Sequence, residues 1–167
     1  LNGQKKYVMF GDVSDYFAIL ANSEEGLMFV LVNKDSEGLE IKQTSSLDQT
    51  RPMCEINMKD IFISDDEIMI GSDSCINTWE KVKNISLGYL AMEQVGGAQA
   101  CLDMSTQYAK ERIQFGRPIG SFQAIQHICA NMLVQLESAK SVAYSAVRTD
   151  TSDDLEVEMS AMLAKSY

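Results

Sequence analysis

The densest set of chemistry-bearing side chains is a single run, Glu111-Arg112-Ile113-Gln114-Phe115-Gly116-Arg117-Pro118-Ile119-Gly120-Ser121-Phe122-Gln123. Two arginines, two glutamines and two phenylalanines meet where one helical pattern ends, glycine and proline turn the chain, and another helical pattern begins. The planar fork of Arg matches two anionic oxygens at once. Amide side chains add neutral donors, and the N–H groups at the start of a helix favour an anion. Together these are the means to hold a pyrophosphate. The same residues also suit a helix–helix corner with a solvated Arg and a Phe plugging the core, and residue types alone leave both readings open.

The elements that position this run change character along the chain. Up to about residue 71, β-rich runs recur at Tyr7–Phe10, Tyr16–Ala21, Leu27–Val32, Leu39–Gln43, Cys54–Met58 and Ile61–Ile63, separated by turn residues such as Gly11-Asp12 and Glu24-Glu25-Gly26. Cys54, Ile56 and Met58 alternate with polar neighbours, giving one wet and one dry face. The Leu27–Val32 run is apolar throughout and is expected to be covered on both sides. A small antiparallel sandwich or barrel follows, with no helix. From about Asp73 the period becomes helical. Ile76, Trp79, Val82, Ile85, Tyr89, Met92, Val95 and Leu102 mark a long helix ending near Arg112. Gly96-Gly97 inside it costs roughly 1 kcal/mol per glycine, which close approach of a neighbouring helix would offset. Ser121 is placed as the cap of a second helix, with Phe122, Ile125, Cys129, Met132, Leu133, Leu136, Ala139 and Ala143 on one stripe. Thr149–Asp154 reads as a polar loop, and a third helix starts near Asp153. The fold class is therefore α+β, a β-sandwich or barrel domain over 1–72 followed by an antiparallel helical bundle over 73–167.

Composition narrows the partners. The formal net charge is −10, with 14 acidic against 6 basic residues up to Ile76 and 10 against 8 afterwards. That balance argues against nucleic acid and anionic membranes, and no run is long and apolar enough to span a bilayer. The four cysteines have neither CxxC spacing nor clustering, and the single His leaves too few ligands for a His/Cys metal site. A reducing cytoplasm is the expected compartment. Leu1 begins inside a turn-plus-strand signal, and the stripe Leu155, Met159, Met162, Leu163 runs on to the chain end, so a fragment of a longer protein is expected.

The stretch Tyr108–His127 resembles the flavin-binding signature of the acyl-CoA dehydrogenases. Ala91–Ala98 is similar to the same family's long helix, and Leu1–Val8 resembles the strand after its flavin-contacting segment. The likeness runs in order through essentially the whole chain. It implies FAD as cofactor, with Arg112 on its pyrophosphate, Gln114 and Phe115 beside it, and Gln123 reaching it from the next helix. It also implies a homodimer or homotetramer with FAD at the subunit interface, an acyl-CoA substrate and fatty acid metabolism. Electron-transferring flavoprotein would be a possible partner. The reaction implied is α,β-dehydrogenation, a carboxylate removing the α-proton while the β-hydrogen leaves as hydride.

Several positions depart from that pattern. Where the family commonly sets Trp and a Ser or Thr against the flavin ring, this chain has Tyr7 and Met9, and a thioether donates no hydrogen bond. The early position at which a minority of the family carries its catalytic Glu is Ser86. The positions of an Asp and Arg often used for CoA are Asn84 and Leu87. No catalytic base is visible. Glu93 and His127 are the nearest substitutes, and a helix-surface charge and a structural His are the plainer readings of both. Two further readings stand beside the enzyme: a non-catalytic subunit that completes a partner's FAD site, and a protein-interaction module without flavin.

Overall fold

The computed structural model describes residues 1–148 and 154–166; most of the polar segment expected at 149–154, and Tyr167, lie outside the described residues. Along the chain run β1 (Gly3–Met9), β2 (Tyr16–Ser23), β3 (Gly26–Asn33), β4 (Leu39–Thr44), β5 (Met53–Met58) and β6 (Ile68–Ile70). Three helices dominate the rest: α1 (Ser72–Glu111), α2 (Gln123–Arg148) and α3 (Asp154–Ser166). The chain divides into two compact units, Leu1–Thr78 and Trp79–Tyr167.

The first unit holds two three-stranded antiparallel sheets, in the orders β1-β5-β4 and β2-β3-β6. Period-two alternation decides which side chains meet. Cys54, Ile56 and Met58 of β5 are buried, and Ile56 and Met58 join Phe17 and Ile19 of β2, Val30 and Val32 of β3, and Ile61 in one core. This is the antiparallel sandwich, and with the helices the α+β class, that the alternation implies.

Two expectations need correction. Ile61–Ile63 is not a strand: Ile61 is buried but Phe62 is 84% exposed, and the third strand of that sheet is Ile68–Ile70, paired with β3. Local hydrogen bonding takes the chain out of the ladder there. The Ser64 N–H and hydroxyl both donate to the Glu67 carboxylate at 2.8 Å, and the Glu67 N–H returns to the Ser64 carbonyl, winding a 3-10 turn at Asp65–Glu67. That turn is also a helical element where none was expected. Second, β3 is not covered equally on its two faces. Val30 and Val32 are buried, whereas Phe29 and Leu31 are half-buried and Leu27 is exposed.

In the second unit the helices meet through small residues. Ala91 of α1, Ala143 of α2 and Ala164 of α3 form the buried cluster, with Met92, Val95, Val142 and Ala146 against it. A Cβ added at Gly88 would stand 3.6 Å from the Ala146 Cβ, so the contact leaves little room for anything larger. Of the stripe expected on α1, Leu102 is buried and Met92 and Val95 pack against the cluster, whereas Ile76, Trp79, Val82, Ile85 and Tyr89 are exposed, and Cys75, Asn84, Ala91 and Ala109 are buried instead. Helical period was read correctly and the buried face in part, because close helix packing selects small side chains and leaves many of the large ones outside. The expected close neighbour at Gly96-Gly97 is absent among the described residues, since an added Cβ at either position meets nothing within 4 Å. Between α1, α2 and α3 runs a groove of about 560 Å³, lined by Ala91, Val95, Leu102, Leu136, Ala139 and Ala164 among others.

Candidate functional site

The candidate corner is built between the end of α1 and the start of α2. Two short strands, β7 (Ile113–Gln114) and β8 (Arg117–Pro118), pair as a hairpin with Ile113 opposite Pro118 and Gln114 opposite Arg117. The two turn residues both have positive φ, 55° at Phe115 and 77° at Gly116, the conformation of a type I′ hairpin turn. Glycine takes the second position without strain. Phenylalanine at the first costs roughly 1 kcal/mol, since a side chain there crowds its own backbone. The ring it carries is 91% exposed.

Backbone hydrogen bonds fix the corner on α1. The Arg112 N–H donates to the Tyr108 carbonyl, and the Ile119 N–H donates to the Arg112 carbonyl, both at 2.8 Å. A 3-10 turn at Ile119–Ser121 then packs so tightly on the helix end that a Cβ at Gly120 would lie 2.8 Å from the Ala109 carbonyl oxygen. Ser121 does not cap α2 as expected. Its hydroxyl turns back to the Pro118 carbonyl at 2.7 Å, and α2 begins after Phe122, whose carbonyl accepts from the Ile125 and Gln126 N–H groups. The Gln126 amide donates to the Gly120 carbonyl at 3.0 Å and closes the corner.

The side chains predicted to bind are presented outward. Arg112, Gln114, Phe115 and Gln123 are exposed, and among the described residues the Arg112 guanidinium has no ion-pair partner. Arg117 is committed differently. Its guanidinium lies 4.2 Å from the centroid of the Phe122 ring, and that ring meets Phe115 edge-on at 6.1 Å and 88°. Residue types alone do not separate the two arginines, and composition gave no hint of the Arg117 stack.

Tyr7 and Met9 belong to the first unit, on β1. Pairing runs Lys5 opposite Ile56 and then Val8 opposite Cys54, so a bulge intervenes. Without it, Tyr7 would stand opposite buried Cys54. The extra residue moves Val8 to the core side and Tyr7 outward, with Tyr7 itself at φ 59°. Tyr7 is 71% and Met9 54% exposed. Of the remaining candidates, Glu93 and His127 are exposed on their helices. The Ser86 hydroxyl is spent on the Val82 carbonyl at 2.6 Å, and Asn84 is buried. Among the described residues, no cluster of His, Cys, Asp or Glu could hold a metal, and no helix is long and apolar enough to cross a membrane.

A family model described as the acyl-CoA dehydrogenase C-terminal domain matches residues 87–167. The acyl-CoA dehydrogenase IpdE2 of Mycolicibacterium smegmatis is 31% identical over 147 residues, covering 88% of this chain and 41% of that protein. The chain belongs to the acyl-CoA dehydrogenase family. It spans less than half the length of that relative. Family likeness extends to the fold. Glutaryl-coenzyme A dehydrogenase in its glutaryl-CoA complex superposes with a TM-score of 0.85 at 27% identity, over 99% of this chain and 45% of that one. PigA with FAD and proline gives 0.82 at 26% identity, over 98% of this chain and 47% of the other. Arg112 is exposed without an ion-pair partner among the described residues, and its planar fork can meet two anionic oxygens.

Proposed function

We propose that this chain is part of an FAD-dependent acyl-CoA dehydrogenase that carries out α,β-dehydrogenation of an acyl thioester. The carrying observation is the corner. Among the described residues Arg112 stands exposed without an ion-pair partner, beside Gln114 and Phe115, at the base of a hairpin held by backbone hydrogen bonds to α1. Its fork suits the two oxygens of a pyrophosphate, and the Gln114 and Gln123 amides supply neutral donors. Phe115 offers an apolar face to a planar or ribose surface. Tyr7 and Met9 are exposed on the outer side of β1, where they would lie along a flavin ring. A bound flavin would supply the acceptor for the hydride, which carries both electrons. What this chain supplies is binding and orientation; the α-proton would go to a carboxylate outside this chain, since the early position on the long helix is Ser86, which carries none.

FAD at a subunit interface, in a homodimer or homotetramer, is part of the proposal, as is electron-transferring flavoprotein as the onward acceptor. A second reading is favoured by two observations on one stretch of α1. Asn84 is buried and the Ser86 hydroxyl is occupied, so the helix face expected to serve CoA and base offers neither, as in a subunit that completes a partner's site without chemistry of its own.

The deciding experiment is visible absorption of the native full-length protein beside Arg112→Ala, followed by turnover of acyl-CoA with an artificial acceptor. A flavin spectrum that fades in the variant supports the cofactor reading, and turnover by the protein alone supports the enzyme. Flavin without turnover until a related subunit is added favours the second reading. A colourless protein that remains so with added FAD rejects both.

A further inference from the structure

The two arginines of the corner differ in what they touch. Arg112 has no ion-pair partner among the described residues, while Arg117 lies over the face of Phe122. A cation over an aromatic face is attracted by the ring quadrupole. Phe122 in turn meets Phe115 edge-to-face, the preferred geometry for a ring pair. Phe115 sits in a backbone conformation that its side chain disfavours, so something outside the turn must hold it there. Phe122 also fixes where α2 starts, because its carbonyl accepts the Ile125 and Gln126 N–H groups, and Gln123 is the next residue. Arg117 stands opposite Gln114 in the hairpin. One side chain therefore bears on the placement of three proposed cofactor contacts.

We infer that Arg117 is a positioning residue of the cofactor corner. Its guanidinium clamps the Phe122 ring against Phe115, and so holds Phe115, Gln114 and Gln123 in place for an anionic dinucleotide that it does not itself touch. This rests on the cofactor reading above. It assigns the two arginines separate tasks, Arg112 to the anion and Arg117 to the aromatic stack.

The test is FAD affinity of the native protein, read by quenching of flavin fluorescence at about 0.05 M and about 0.5 M salt, which bracket strong and weak screening. Arg117→Ala is expected to weaken FAD about 2- to 5-fold, equally at both salts, as fits loss of one exposed cation–ring contact. Arg117→Lys should recover most of that loss. Arg117→Met, which keeps the apolar stem without the charge, should not. Arg117→Ala combined with Phe122→Leu should be no worse than the weaker single variant, because both break one stack. Should Phe122→Leu fold poorly, the Lys and Met variants decide the matter alone. A loss that shrinks at high salt and multiplies with Phe122→Leu marks a direct phosphate contact and overturns the assignment. Rescue by Met reduces Arg117 to packing and overturns it as well. If the unaltered protein binds FAD and Arg117→Ala binds equally well, only this assignment falls. If the unaltered protein takes up no FAD, the cofactor reading falls and this one with it.

Discussion

The two units solve the same packing problem with opposite materials. The first closes on large branched and aromatic side chains, Phe17, Ile19, Val30, Val32, Ile56 and Met58, several of them almost wholly hidden from solvent. The second centres on a cluster of Ala91, Ala143 and Ala164, buries fewer large residues (Leu102, Leu136 and Val157), and leaves Leu155, Met159, Met162 and Leu163 of α3 more than half exposed. Alternating strands bury whatever points inward, so large residues accumulate there. Helices that approach closely must give up volume at the contact, and their large residues turn to the rim. The β unit therefore draws its stability from apolar area, and the helical unit from proximity.

That contrast can be broken most directly in the cores. Ile56→Ala is expected to cost about 2–5 kcal/mol, a cavity in a closed core. Leu136→Ala, beside an open groove into which neighbours can relax, should fall at the low end, about 2 kcal/mol. Urea midpoints of the two variants compare them, and equal losses would break the distinction. Gly120→Ala should cost roughly 1–3 kcal/mol, since the new methyl meets the Ala109 carbonyl and the corner must shift. A thermal melt together with FAD titration reads it, and unchanged values for both would mean the corner is not built tightly. Phe115→Asn sharpens the comparison from the other side. It should raise stability by about 1 kcal/mol by suiting the turn, while lowering FAD affinity. Gly97→Ala, whose methyl meets nothing within 4 Å, should raise helix stability by ~0.8 kcal/mol; a loss of assembly instead would show that another backbone needs the space. The smallest effect is expected at Asp48. The Thr50 hydroxyl, and then the Thr50 N–H, hold its carboxyl below the ordinary value. A lowered folded value stabilises above the unfolded one, about 3.9, and that contribution disappears as pH falls through the folded value. The melting deficit of Thr50→Ala should thus be present near neutrality and close in acid.

Much of this was legible in the residues, for reasons that differ by element. The strands through Cys54, Ile56 and Met58 announce themselves because period two is a strong signal over even five residues. Ile61–Ile63 misled because three apolar residues carry no register, and the deciding contacts belong to Ser64 and Glu67. In α1, spacing revealed the helix to within a residue or two but only part of its buried side; alanine and glycine at a contact look unremarkable in a sequence. The corner at Arg112–Gln123 was visible through its turn chemistry, glycine and proline between two helical patterns. The division of labour between Arg112 and Arg117 was not, since it depends on which ring lies beneath a guanidinium. Nor was the outward turn of Tyr7, because nothing in the residue type marks a tyrosine at positive φ.

The bulge that turns Tyr7 outward has a consequence for solubility. Among the described residues β1 is an outer strand of its sheet, and such strands invite a second chain to add on and propagate. Here the ladder breaks between Lys5 and Val8, so an incoming strand would find its register lost after a few residues. Lys5 reaches across to the Leu20 carbonyl at 2.9 Å, on β2, which is an outer strand of the other sheet. The adjoining Lys6 is exposed and carries a further charge to the rim. One irregularity thus serves two ends, presenting an aromatic ring on the surface and denying the sheet a template for fibrillar growth.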